Sequence, residues 1–147
     1  VKTLTRPRFT PSQVAVVALV AQGMTNREAA ANLGVPVTTV VNRLHCATLT
    51  SGMGTRAGLV ARACRQGQLQ SVPLQDAAPV DLPPALLDVL GLLAAGLTYR
   101  EIGAVLFLSP DSIATRSQRL LRALGARDRA HAVLIAWQLR ILPEVSR

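Results

Sequence analysis

Aromatic side chains are nearly missing from this sequence: one Trp, one Tyr and two Phe in 147 residues. Half of the residues are nonetheless hydrophobic, chiefly Ala, Leu and Val, which points to closely packed helical bundles and away from a β-sandwich. Histidine and cysteine are scarce too, at two each. Cys46 and Cys64 fall inside expected helices and in no metal-type cluster, so they read as reduced core thiols. His45 and His131 belong to no arguable Ser/Cys–His–acid grouping, and there is no Gly-rich phosphate loop. No enzyme, no metal and no cofactor is expected on these grounds. No apolar run reaches the roughly 18 residues of a membrane span, and no signal-peptide pattern opens the sequence. The expectation is a cytoplasmic, nucleoid-associated protein without a membrane partner.

Acidic residues are the next shortage, eight against sixteen Lys and Arg, leaving a net charge of +8 and a pI near 11.4. Such a balance favours a polyanionic partner.

What the chain does have is repetition. Residues 9–69 align without a gap on residues 82–142. Gly23 falls on Gly96, Thr25-Asn26-Arg27-Glu28 on Thr98-Tyr99-Arg100-Glu101, Leu33 on Leu106, and Arg43 on Arg116. Gly52-Met53 falls on Gly125-Ala126 and Arg56-Ala57 on Arg129-Ala130. The domain reading is therefore a first unit at 1–69, a linker at 70–81 carrying two prolines, and a second unit at 82–147. Each unit of about 60 residues is near the lower limit for folding alone.

The punctuation within each unit is helical. Thr10-Pro11-Ser12-Gln13 is a capping box with Pro in the first turn, and Phe9 with Val14 is placed as a hydrophobic staple. The helix it opens carries Val14, Val17, Ala18 and Ala21 at helical spacing and stops at Gly23. Thr25 with Glu28 opens a short second helix. Gly34-Val35-Pro36 turns the chain into a third, from Val37 to about Thr50, and a fourth runs from Arg56 to about Gln66. In the second unit the same plan begins after Pro83-Pro84. Thr98 with Glu101, then Ser109-Pro110-Asp111, open the second and third helices, and Gly125 closes the third. All-α architecture, with a helix–turn–helix in each unit, is the expected fold.

The wording of these segments is more specific than their periodicity. "TPSQVAVVALVAQGMTNREAAANLGVPVTTVVNRL" followed by "GMGTRAGLVARA", and "LLAAGLTYREIGAVLFLSPDSIATRSQRLLRALGARDRAHAV", each resemble the LuxR-type (GerE-like) DNA-binding domain. The resemblance implies two tandem four-helix LuxR-type helix-turn-helix domains and a bacterial transcription regulator whose third helices enter the DNA major groove. The second unit keeps the turn serine as Ser109, the Leu-Gly as Leu124-Gly125 and the closing arginine as Arg129. The first departs, with Pro36 for the serine and Ser51 for the leucine. Both carry Arg43 and Arg116 where the family commonly has His, and Thr50 and Ala123 where it has Lys.

Carried over by position, the base-facing set is Val41, Asn42 and His45 in the first unit and Ala114, Thr115 and Gln118 in the second. Asn and Gln suit adenine and Val and Ala suit the thymine methyl, so an A·T-rich target is expected. Phosphate contacts are assigned to Asn26, Arg27, Tyr99 and Arg100 at the second-helix N-termini, and to Arg43, Arg116, Arg119 and Arg122 on the third helices. The fourth helix mediates two-fold dimerisation in the family. The resemblance therefore places Leu59, Val60, Ala63 and Cys64 against Ala132, Val133, Ala136 and Trp137. Those sets could pair within one chain or between chains. Double-stranded DNA is the expected partner, with self-association through the fourth helices and another regulator or peptide as further partners. The competing function is a protein or peptide interaction module without sequence-specific DNA readout, suggested by the valines of the first unit's third helix.

Overall fold

The computed structural model describes residues 7–77 and 79–142. The outer ends of both expected units, 1–6 and 143–147, lie outside the described residues, as does position 78 of the linker. Among the described residues there are eight helices and no strand: α1 Pro11–Ala21, α2 Asn26–Leu33, α3 Val37–Ser51, α4 Arg56–Arg65, α5 Pro84–Ala94, α6 Tyr99–Leu106, α7 Pro110–Leu124 and α8 Arg129–Gln138. Every boundary of α1–α4 recurs in α5–α8 at the spacing of the sequence repeat. None of the helices is long and apolar enough to cross a membrane.

The helix starts follow from their side chains. Thr10, Thr25 and Thr98 each accept a hydrogen bond from the backbone N–H three residues on, and Gln13, Glu28 and Glu101 each accept one back from the cap residue's N–H. Each such cap is worth about 1 kcal/mol. The helix ends rely on left-handed backbone: Gly34 and Gly52 in the first half, Gly125 in the second, at φ between 67° and 73°. Position 107 breaks that pattern. The sequence puts Phe where the first half has Gly34, and Phe107 nonetheless takes φ 59°, the residue 93 % exposed. Left-handed backbone costs a non-glycine residue about 1–2 kcal/mol.

Two apolar clusters form the core. One holds Val16, Val17, Val20, Val40 and Val60; the other holds Leu90, Leu93, Ile102, Ile113 and Leu120. The α1 register differs from its reading in the sequence. Val16, Val17, Val20 and Ala21 are buried, whereas Val14 and Ala18 lie at the rim. Because α1 is apolar all round, periodicity alone cannot choose its inner face. Cys64 is buried, as expected, and its desolvation pushes the thiol up to about 12. Cys46 corrects the expectation of a core thiol, since it stands on the solvent side of α3.

The two halves meet along α4 and α8, the most extensive helix pair in the molecule, and α1 touches α8 as α5 touches α4. Close approach is made by small residues. A Cβ on Gly58 would stand 2.8 Å from the Cα of Gly96. The equivalent contact is between His131 and Gly23, where a Cβ would stand 3.3 Å from the imidazole Nδ1. The non-helical linker is pinned to this seam: Gln75 N–H donates to Gln138 Oε1 at 2.9 Å, and Gln75 Oε1 lies 2.9 Å from His131 Nε2.

Candidate nucleic-acid interface

Each α2–turn–α3 and α6–turn–α7 unit holds its third helix with one face in the core and the other in solvent. On α3 the buried side is Val40, Ala47 and Ser51; on α7 it is Ile113, Ser117, Leu120 and Leu124. The α6–α7 turn is tightened by Gly103, because a Cβ there would run into the carbonyl oxygen of Leu108. In the same turn the Leu108 N–H donates to the Gly103 carbonyl at 2.9 Å. Ser109 then starts α7 by accepting from the Ser112 N–H at 3.1 Å, while Pro36 starts α3 with no side-chain cap.

The exposed rows of the two helices differ. On α3 the row is Val37, Thr38, Val41, Asn42, His45, Cys46 and Leu49; on α7 it is Pro110, Asp111, Thr115, Gln118, Arg119, Arg122 and Ala123. Val41, Asn42 and His45 are thus exposed as a base reader must be, and so are Thr115 and Gln118. Ala114 is half-buried, as are Arg43 and Arg116, which flank the rows without standing on them. Thr115 donates its hydroxyl proton to the Asp111 carbonyl at 3.1 Å, so only its lone pairs remain for another donor.

The second-helix N-termini carry the other positions assigned to phosphates. Arg27 and Arg100 are exposed; Asn26 and Tyr99 are half-buried because each is engaged by an arginine from the fourth helix of its own half. Arg56 donates to Asn26 Oδ1 at 2.6 Å and to the Met24 carbonyl at 3.0 Å. Arg129 stands over the Tyr99 ring, 4.5 Å from its centroid. Arg127 reaches across the seam to Glu28 at 3.2 Å. These contacts draw the N-termini of α2, α4, α6 and α8 to one side of the seam. A cavity of about 360 Å³ opens among the last three, lined by Thr55 and Arg56, by Thr98, and by Asp128 and Arg129.

Partial positive charge from helix N-termini and full charge from arginine add on that side. Asp128, which caps α8, and Glu28 and Glu101 are the nearby acids. The backbone N–H of Thr25 holds the Glu28 carboxyl below its ordinary range, helped by Arg127, and the Thr98 N–H does the same for Glu101. Arg56, Arg127 and Arg129 were not among the positions expected to meet a ligand. Arg56 and Arg129 are identical across the repeat, and that identity was the available signal.

The fourth-helix set divides by register. Leu59, Val60, Ala63 and Cys64 share one cluster with Val133 of α8, joined by Ala130, Leu134 and Ala94. Ala132 and Ala136 belong to the second-half cluster. Spacing of three and four residues puts 130, 133, 134 and 137 on one face of α8 and 132 and 136 on another. Trp137 is 40 % exposed and lines a shallow cavity with Cys64, Leu134 and the linker.

The surface these elements make has helices two and three outward, arginines around capped helix starts, and no metal-binding cluster among the described residues. It suits a polyanion. A probable transcriptional regulatory protein NarL of Mycobacterium tuberculosis, strain CDC 1551 / Oshkosh, is 40% identical over 70 residues, as is its counterpart in strain ATCC 25618 / H37Rv. That alignment takes in 46% of this chain and 32% of each relative, so the chain spans about a third of their length. No solved structure matches. Residues 87–136, from α5 into α8, match the family of bacterial regulatory proteins described as the luxR family.

Proposed function

We propose that this protein is a DNA-binding transcriptional regulator, and not an enzyme. In this reading two LuxR-type helix-turn-helix domains, 1–69 and 82–147, pair within one chain as a pseudo-dimer and read two unlike half-sites of duplex DNA. The observation that carries the reading is the repetition of the seam. Gly58 meets Gly96 as His131 meets Gly23, which is the reciprocity a two-fold dimer has between its subunits. Pairing through α4 and α8 leaves α3 and α7 free to enter successive major grooves, about one helical turn or 34 Å apart. The names of the relatives and of the matched family support a regulator, and the surplus of arginine supports DNA. Bases are assigned to Val41, Asn42, His45, Ala114, Thr115 and Gln118. Phosphates fall to Asn26, Arg27, Arg43, Tyr99, Arg100, Arg116, Arg119 and Arg122, to which Arg56, Arg127 and Arg129 are added.

The test is selection of duplexes from a random pool by the full chain, followed by titration across salt and light scattering of the complex. Binding should weaken with a log–log slope of about −0.9 per phosphate neutralised. One chain should occupy each two-part site. Absence of binding to diverse duplexes near 50 mM salt overturns the DNA reading, and two chains per site overturns pairing within the chain. The uncharged outer row of α3 favours one alternative, an interaction module that grips a protein or peptide. Loss of DNA binding together with capture of a defined peptide through α3 would establish it.

A further inference from the structure

The outer row of α3 bears no Lys, Arg, Asp or Glu, and its groove-facing end presents two branched aliphatic side chains. Val37 is 39 % exposed and Val41, one turn on, is 46 % exposed. The equivalent positions on α7 are Pro110 and the half-buried Ala114. The major groove offers donors, acceptors and a single apolar group, the C5-methyl of a pyrimidine. A pair of valines one helical turn apart lies on one face, has no donor or acceptor to contribute, and gains on entering the groove only by covering such methyls. Asn42 beside them can fix the register by pairing with an adenine edge.

We infer that α3 is a reader of pyrimidine C5-methyl groups, with Val37 and Val41 as the contact residues, while α7 reads its half-site by hydrogen bonds. This rests on the DNA-binding reading above. The methyl has two sources, thymine and 5-methylcytosine.

The test uses the full chain and the duplex it selects from a random pool. Thymines of the α3 half-site are replaced by deoxyuridine, which removes only the methyl, and in a second arm its cytosines are replaced by 5-methylcytosine. Each methyl lost should weaken binding about fourfold. A weakening in the first arm assigns thymine, and a strengthening in the second assigns 5-methylcytosine. The same replacements in the α7 half-site should change affinity less than twofold. In the variant Val37→Ser/Val41→Ser, which removes both methyls of each side chain at exposed positions, the difference between methylated and unmethylated duplexes should vanish. Indifference to both arms, equal losses in the two half-sites, or a methyl effect that survives in the variant overturns the inference. Failure of the underlying DNA reading shows itself separately, as no salt-dependent binding of the unmodified duplex.

Discussion

Helices α3 and α7 have the same length, the same place in the repeat and equivalent buried positions, Val40 with Ile113, Ala47 with Leu120 and Ser51 with Leu124. Their outer surfaces share no residue. Where α7 shows Gln118, Arg119 and Arg122, α3 shows His45, Cys46 and Leu49. Core positions are constrained by volume and by neighbours on three sides, so the step from Ala47 and Ser51 in one half to Leu120 and Leu124 in the other needs matching changes in the residues packed on them. Exposed positions carry no such penalty, so the two helices can diverge in what they touch while keeping the same bounds. The family match falls at residues 87–136 in the second half, the half with Ser109 at the turn and Leu124-Gly125 at the end of α7.

The largest expected effect breaks this comparison at its most polar point. Changing Arg119 and Arg122 together to Ala should cut affinity for every duplex roughly 10- to 100-fold near 100 mM salt and flatten the salt slope by about 1.8. The equivalent change on α3, Cys46→Ala with Leu49→Ala, should alter affinity less than twofold. Placing arginines there, Cys46→Arg with Leu49→Arg, should steepen the slope by about the amount lost on α7. All four positions are exposed, so folding is not at stake. Equal losses from the two alanine pairs would mean that both helices meet phosphate alike.

The architecture was legible because it is written in local signals. Capping boxes at Thr10, Thr25 and Thr98, left-handed glycines at 34, 52 and 125, and a repeat without gaps place helix boundaries within a residue or two. The side of a helix that faces the core was harder wherever hydrophobicity had no direction. That is why Val16 and Val20 displaced Val14 and Ala18. Least legible were contacts between distant segments. Nothing local to Arg56, Arg127 or Arg129 says that they close on Asn26, Glu28 and Tyr99. The Arg56 and Arg129 pairings exist only once each fourth helix has packed on its own half, and the Arg127 pairing only once the two halves have docked.

A smaller effect separates the two arginines that hold the second-helix starts. Arg56 donates two hydrogen bonds, one to Asn26 Oδ1 and one to the Met24 carbonyl. Arg56→Ala leaves both acceptors without that partner and should cost about 1–2 kcal/mol of unfolding free energy in urea. Arg129, which is exposed, contributes a cation–π contact with Tyr99. Arg129→Ala should cost about 0.5–1 kcal/mol. A larger loss from Arg129→Ala than from Arg56→Ala would place the stronger tether in the second half and reverse the comparison.

The smallest effect concerns a position where the halves differ outright, Gly58 in one and His131 in the other. His131 is buried at the seam, 8 % exposed. Its Nδ1 accepts from the Arg127 N–H at 3.0 Å, which puts the neutral ring's proton on Nε2, donated to Gln75 Oε1 at 2.9 Å. Protonating Nδ1 would set a donor against the Arg127 N–H. Burial lowers the imidazole below its ordinary 6.5, opposed by the Asp128 carboxylate and reinforced by Arg127. The unfolded chain therefore takes up the proton first as pH falls. Stability is full above about 6.5 and drains away as pH drops toward the folded value. Glu28 and Glu101, both lowered from 4.5, withdraw their share only at more acid pH, so the two windows separate. Urea unfolding of the full chain at pH 7.5 and 5.5 should show a modest loss that His131→Gln removes, since the amide does not titrate. An equal loss in that variant would assign the dependence elsewhere and leave the seam, in both halves, indifferent to protons.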